Sequence, residues 1–504
     1  MLWWLIASAL HLLCLAVTSR ATRWAPVTQA VPPALLGNCT CPKHAAAGDR
    51  QALGESFLVL PLLSSTAVAA TRTSEVVLTF FASDEVLLAA RSLDFGTSWS
   101  AYVTSATNWT GSAPRCTTPG FTYSSELPPV VQVICTASNY PTGAVSRTAS
   151  WDTATGQLAW ENTTTTIWTG VNGGGIRHTV SLSNRARVLC MLQSNGWNGT
   201  AHFPAESLAL YSDPPYTTWH RSSNTVRCAQ TPGSCYGAVE PVAAERADGS
   251  LLALMRSQVG VLWQASSTDG GESFSNGEPS HLASTDSPPF LLRLTRRPTA
   301  TLSSSNDSGN STGALLLVWV NVRTTAPLVC EHKSGGGVYT IRHLLHAAIS
   351  LDGGVTWRGH REIYRDPLMQ AEPPSRGDIG VAYSYGQELA NGDVLLRTGQ
   401  GVGRTQLIRL DPSWLLVPTK HADFTTPQAA ATWNRPQAVD SDEYVSTCMY
   451  YRHIGHSKPP ESPRELSCGE ANDGTALRML PETGSSATNR SVGSTQALCS
   501  FSTQ

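Results

Sequence analysis

The sequence predicts an all-β repeat protein with a blade-like period, on three observations. The first is a pattern that recurs three times, S-x-D-x-G-x-[TS]-[WF]: Ser92-Leu-Asp-Phe-Gly-Thr-Ser-Trp99, Ser267-Thr-Asp-Gly-Gly-Glu-Ser-Phe274 and Ser350-Leu-Asp-Gly-Gly-Val-Thr-Trp357. The second is composition: 41 Gly and 31 Pro among 504 residues favour many turns over long helices. The third is patterning. Apolar runs are short and partly β-branched, with Gly, Asn or Asp between them, and no amphipathic stretch exceeds about three helical turns.

Each repeat has its own local chemistry. The Asp carboxylate accepts hydrogen bonds from amides just ahead of it, as in an Asx-turn. The Gly supplies a positive φ without steric cost. The closing aromatic ring packs apolar area beneath the turn. A worn fourth copy, Tyr211-Ser-Asp-Pro-Pro-Tyr-Thr-Thr-Trp219, keeps Ser, Asp and Trp but lacks the Gly. The four Asp residues stand at 94, 213, 269 and 352. A blade of four strands takes roughly 40–50 residues, so these intervals fit two blades, one blade, and one blade with an insertion.

In chain order, residues 1–21 read as a secretory signal peptide. An apolar run from Leu2 to Val17 precedes small-residue cleavage sites at Val17-Thr-Ser19 or Ser19-Arg-Ala21. Residues 22–50 form a Pro/Ala-rich lead. Strand-like runs then fill residues 51–424: Phe57–Leu63, Val76–Ala82, Val86–Arg91, Val130–Thr136, Thr179–Gln193, Ser207–Tyr211, Val239–Ala244, Ser250–Ser257, Gly260–Ser266, Ala314–Val322, His343–Ser350, Val381–Leu389 and Asp393–Thr398. Ala247-Asp-Gly-Ser250 and Ala390-Asn-Gly-Asp393 are hairpin turns. Residues 301–313 form a polar insertion. Residues 425–504 turn polar and Pro/Ser-rich without a further repeat, and read as an irregular tail.

Composition narrows the partners. Charged residues make up 14% and the net charge is −2, so there is no basic field for nucleic acid. Sequons at Asn38, Asn108, Asn162, Asn198, Asn306, Asn310 and Asn489 suit a glycosylated protein, secreted or resident in the secretory-pathway lumen. Close cysteines such as Cys116/Cys135, Cys228/Cys235 and Cys448/Cys468 suit disulfides there. Removing Cys14 with the signal leaves an odd number, hence at least one unpaired thiol within a monomer. No later segment is apolar enough to span a membrane. No His, Cys or carboxylate spacing makes a metal site, and neither a metal nor a cofactor is expected. Gly309-Asn-Ser-Thr-Gly313 matches a nucleophile elbow in letters only, because it lies in the polar insertion.

The repeats resemble the Asp-boxes, or BNR repeats, of sialidases and related propellers. In that family the box joins the third and fourth strands of a blade. The resemblance implies a six-bladed β-propeller and covers roughly residues 55–415. It is strongest over 236–400, where Glu240 and Arg256 stand sixteen residues apart, like a Glu and an Arg of exo-sialidases. The two would lie at the same end of two adjacent strands. Tyr383, with Leu389 and Gly392 following, matches the family's Tyr-Ser segment.

The implied activity is retaining exo-hydrolysis of terminal sialic acid from glycans. A carboxylate nucleophile would be repelled by the acid group on the sugar's anomeric carbon. A neutral Tyr avoids this, but its phenol titrates at about 10 and needs a base beside it. Tyr383 would attack and Glu240 would activate it. Asp84, with Glu85 beside it, would protonate the leaving oxygen. Arg256 and a further arginine, Arg342 or alternatively Arg323, would hold the substrate carboxylate. Tyr385, two residues on from Tyr383, shares its strand face and is a second aromatic candidate. One family feature is missing: the segment Glu55-Ser-Phe-Leu-Val-Leu-Pro61 has no Arg-Ile-Pro signature, and Arg50 and Arg72 fall out of register. Two other readings therefore stand beside the first: a non-catalytic propeller that binds glycans or proteins, and a glycosidase of the same fold acting on another sugar.

Overall fold

Short apolar runs joined by tight turns fold into successive antiparallel sheets. The computed structural model describes residues 27–30, 56–61, 75–82, 87–102, 116–124, 130–137, 143–161, 165–169, 178–183, 185–194, 205–228, 237–296, 313–321, 342–366, 380–399, 406–416, 440–441, 444–450, 466–470, 476–481 and 497–502. Strand β1 (Val27–Ala30) comes first. One sheet runs β2 (Ser56–Pro61), β3 (Glu75–Ala82), β4 (Leu87–Ser92), β5 (Ser100–Tyr102). The next contains β6 (Cys116–Ser124), β7 (Val130–Ala137), β8 (Gly143–Asp152) and β10 (Thr165–Thr169), with β9 (Gln157–Trp160) also paired to β8. Then come β11 (His178–Ser181), β12 (Val188–Gln193), β13 (Ser207–Ser212) and β14 (His220–Arg221). They are followed by β15 (Val239–Glu245), β16 (Leu251–Arg256), β17 (Val261–Ser267) and β18 (Glu278–Ala283). The sheet after that is β19 (Phe290–Arg293), β20 (Leu315–Trp319), β21 (Leu344–Ser350) and β22 (Arg358–Arg365).

The last sheet of the series is β23 (Tyr385–Glu388), β24 (Val394–Thr398) and β25 (Gln406–Leu410), and β1 supplies its outer strand, pairing Val27 with Arg409 and Ala30 with Gln406. The lead read as lying outside the repeat unit thus contributes a strand to it. The leading strands touch in turn: β2 meets β6, β6 meets β11, β11 meets β15, β15 meets β19, β19 meets β23, and β23 meets β2. This is an all-β propeller arrangement, and its helical content among the described residues is nearly nil.

The core lies between neighbouring sheets. Val242, Leu252, Leu254 and Leu262 pack against Leu291, Leu315, Leu317 and Trp319. The other face of that second group's sheet, through Leu316, Val318 and Ala347, packs on Val394, Leu396 and Ile408. Strands covered on both faces need no polar alternation, which is why β20 is a continuous apolar run and β21, buried throughout, departs from one only at His346 and Ser350. Each fully buried Leu contributes roughly 2 kcal/mol.

The boxes occupy the third-to-fourth hairpins, β4–β5, β17–β18 and β21–β22. In each, the Ser hydroxyl donates to the Asp at 2.8 Å (Ser92–Asp94, Ser267–Asp269, Ser350–Asp352) and accepts from the box Gly amide. The Asp accepts the amide of residue 98, 273 or 356. Burial alone would push these carboxyls up, but hydrogen bonds from Ser98, Ser273 and Thr356 outweigh it and hold them below the ordinary value. The box also clamps adjacent sheets. Arg246 of the β15–β16 turn donates through Nε to the Gly353 carbonyl at 2.7 Å, and Leu252 lies directly beneath Gly354. The worn copy at 211–219 joins β13 and β14 and replaces the missing local bonds with a fork from Arg187 to Asp213, at 2.7 and 2.8 Å. Tyr216 takes the left-handed conformation there, at φ 63°.

Four features differ from the sequence reading. Thr179–Gln193 is two strands, because Ala186 at φ 52° turns the chain. Val381–Leu389 is extended only over Tyr385–Glu388. The segment read as an irregular tail holds β26 (Asp440–Ser441), β27 (Tyr444–Tyr450), β28 (Leu466–Glu470), β29 (Ala476–Pro481) and β30 (Ala497–Ser502), in the order β26-β27-β30-β29-β28. Its mean polarity hides short strands. There Cys448 stands opposite Cys499, not Cys468. Cys190, buried on β12, is a free thiol. The signal segment 1–21 lies outside the described residues, and among those described no helix is long and apolar enough to cross a membrane.

Candidate functional site

The site begins with a bulge. On β15 the register slips between Val239, opposite Arg256, and Val242, opposite Leu254. Pro241 has no amide for the ladder, and Glu240 takes φ 50°. Val239 stands opposite Arg256, the last residue of β16, so Glu240 and Arg256 share one end of one hairpin. Gln193, at the end of β12, accepts the Glu240 amide at 2.5 Å.

Tyr383 arrives from the far side of the chain. It sits just before β23 at φ 65°. Its segment is tied down by neighbours: the Val381 amide donates to the Arg342 carbonyl at 2.8 Å, and Ser384 Oγ bonds Thr398 Oγ1 at 2.9 Å. Gly380 makes this approach possible, since a Cβ there would stand 2.3 Å from the Arg342 carbonyl oxygen. Left-handed backbone at a non-glycine residue costs roughly 1–3 kcal/mol, so two such residues at one point mark a site held in place by its surroundings.

The three side chains meet. The Tyr383 hydroxyl donates to Glu240 Oε1 at 3.0 Å. Arg256 Nη1 donates both to Glu240 Oε2 at 2.8 Å and to the Tyr383 oxygen at 3.2 Å. Arg256 Nε is bound by Asp286 Oδ1. Arg342, 1% exposed, donates through Nη2 to the Asp286 carbonyl at 2.7 Å, and its guanidinium carbon lies 5.4 Å from the Tyr383 ring centre. Burial opposes the charge on Arg256, but Asp286, Glu240 and Tyr383 overcome it and raise its pKa well above the ordinary value. Burial pushes Arg342 down, and neighbouring Arg256 adds to the effect.

A small recess lies beside the group, lined by Glu240, Val242, Pro288, Pro289, Phe290, Tyr383, Ser384 and Tyr385. Tyr385 thus lines the same recess, and the Tyr383 hydroxyl is bonded to Glu240. Asp84, its neighbour Glu85, and Arg323 lie outside the described residues. Of the two arginine candidates, Arg342 is placed at the group. No cluster of three metal-binding side chains occurs among the described residues.

Asp286 escaped the sequence reading. It lies in Thr285-Asp-Ser-Pro-Pro289, a string that reads as a turn. Gln193 and Gln258 carried no signal either. Chemically, a phenol hydrogen-bonded to a carboxylate and touched by a guanidinium can lose its proton to that carboxylate, with the cation stabilising the phenolate.

A family model, the BNR repeat-like domain, matches residues 131–396. No curated protein matches the chain. Among solved structures, Trypanosoma rangeli sialidase in complex with 2,3-difluorosialic acid is 12% identical with TM-score 0.43, covering 72% of this chain and 56% of that one. NanB sialidase from Streptococcus pneumoniae is 11% identical with TM-score 0.41, over 71% of this chain and 68% of its own. A protein of unknown function from Dyadobacter fermentans is 14% identical with TM-score 0.43, over 71% of this chain and 98% of its own. This chain therefore spans little more than half the length of the trypanosomal sialidases.

Proposed function

Because the chain belongs to the BNR repeat-like domain family, within the sialidase superfamily of propellers, we propose that it is a retaining exo-α-sialidase-like glycoside hydrolase on a six-bladed frame. Its substrates would be sialylated glycans, met outside the cell or in the secretory lumen. The observation that carries this reading is the 3.0 Å bond from the Tyr383 hydroxyl to Glu240 Oε1, with Arg256 Nη1 donating to both partners.

In this scheme Glu240 takes the phenolic proton as the Tyr383 oxygen attacks the anomeric carbon. The bond to the leaving oxygen breaks, and an acid protonates that oxygen; Asp84 is the proposed donor. Water then releases the sugar from the tyrosyl adduct, with the same acid acting as base, and the phenol recovers its proton. A Tyr nucleophile is the known exception to the two-carboxylate rule for glycosidases. The fixed charges around the phenol serve the oxocarbenium-like transition state.

The test is hydrolysis of a fluorogenic α-sialoside by the full chain, with Tyr383→Phe as control. Turnover that falls at least about 100-fold in the variant supports the scheme. A second reading, a glycan-binding propeller without turnover, is favoured by the segment Glu55–Pro61, which supplies no arginine where the family carries its Arg-Ile-Pro signature. No turnover with retained glycan binding selects it. Turnover of neutral but not acidic glycosides selects another sugar.

A further inference from the structure

The site contains a buried carboxylate for which the proposed reaction has no use. Asp286 lies between β18 and β19 and is 5% exposed. Its Oδ1 binds Arg256 Nε, its Oδ2 accepts Gln258 Nε2 at 3.2 Å, and its carbonyl accepts Arg342 Nη2 at 2.7 Å. One residue therefore holds both arginines assigned to the substrate's acid group.

The consequence follows from guanidinium geometry. Arginine grips a carboxylate with two parallel donors, either Nε with one Nη or the two Nη atoms. On Arg256, Nε is taken by Asp286, and Nη1 is taken by Glu240 and Tyr383. Nη2 has no partner among the described residues. Each two-donor edge that includes Nη2 is thus half occupied, and an incoming carboxylate is left one donor on this arginine. Charge tells the same story: among the described residues, Glu240 and Asp286 stand against Arg256 and Arg342 at the group, two charges of each sign.

We propose that Asp286 is a specificity-determining residue that competes with the substrate carboxylate for Arg256, so that acidic sugars are held by a single-point contact and bound weakly. This rests on the sialidase-like reading above. It assigns the site a low premium for the acid group itself, with the sugar ring and its other substituents supplying most of the affinity.

The experiment is a two-by-two comparison by titration calorimetry. The ligands are 2-deoxy-2,3-didehydro-N-acetylneuraminic acid and its C1 carboxamide, and the proteins are the native chain and Asp286→Asn. Asparagine keeps the shape and one acceptor oxygen but removes the charge. The expected result is about tenfold tighter binding of the acid by Asp286→Asn, with the carboxamide changed by less than about threefold. Loss of affinity for both ligands, or no change for either, makes Asp286 a structural support only and overturns the inference. The native protein supplies a test that does not depend on the variant folding: acid and carboxamide should bind within about tenfold of each other, and a preference for the acid above about 100-fold overturns the proposal. If the native chain binds neither ligand and hydrolyses no sialoside, the functional reading falls and takes this inference with it. Binding of both ligands without the Asp286→Asn gain removes this inference alone.

Discussion

Replacing Arg256 with Met tests whether the site is held together by charge. Methionine keeps most of the stem's apolar volume and removes the cation. Glu240 and Asp286, with side chains 7% and 5% exposed, then lose the cation that bridges them, and Arg342 is left as the remaining cation at the group. Removing one member of a buried pair costs about 3–5 kcal/mol, because the other charge stays desolvated. Here two carboxylates lose the same cation, so the upper end of that range applies at pH 7.5. The pH dependence has a definite sign. In the variant, burial and mutual repulsion raise the folded-state carboxyl pKa above the unfolded value of about 4. The folded state then holds more protons than the unfolded state just above pH 4, and stability falls as pH rises. The deficit at pH 5 is therefore smaller than at pH 7.5. Urea denaturation followed by tryptophan fluorescence at both pH values measures it. Adding Asp286→Leu to Arg256→Met removes one stranded charge and should return about 1–3 kcal/mol. A single variant within about 1 kcal/mol of the native protein, or a deficit that does not change with pH, would refute the reasoning.

Three further outcomes follow from the same structure. Glu240→Gln keeps the shape of the site and removes the base, so kcat on a fluorogenic sialoside should fall about 10²–10⁴-fold. Gly354→Ala places a Cβ 2.4 Å from Leu252 Cδ2 at φ +91° and should cost about 2–4 kcal/mol in urea unfolding, whereas Gly392→Ala, at φ +87° with nothing within 4 Å, should cost only about 1 kcal/mol. Neither ring nitrogen of His360 has a hydrogen-bond partner among the described residues, and burial, with His346 and His281 nearby, pushes its pKa down to about 4. The unfolded chain binds that proton near 6.5, so stability drains away as pH falls from 6.5 towards 4; His360→Phe should flatten that limb of a stability–pH curve and leave the pH 7 midpoint unchanged or higher.

What the sequence revealed tracks how local each interaction is. The boxes were legible because Ser92, Asp94 and Gly96 bond one another within a few residues. Glu240 and Arg256 were legible as neighbours because the Ala247–Ser250 turn fixes their hairpin register, although the bulge that turns Glu240 inward was not. Tyr383 was found through family likeness alone. Periodicity placed it inside a strand, and its left-handed backbone shows why that reading failed locally. Asp286 and Gln193 come from a loop and a strand end of other sheets, and only the folded chain brings them to the hairpin. Asp84 and Arg323 remain sequence expectations.

Ring closure by β1 has a bearing on biosynthesis. Residues 27–30 leave the ribosome well before their hydrogen-bonding mates at 406–409, which are made last of the series. Until the two segments meet, β25 has a bare edge, the kind of template on which neighbouring nascent chains can add. Trimming the amino terminus only a few positions past residue 30 would leave that edge bare for good, so the fidelity of maturation and the solubility of the finished molecule are one problem.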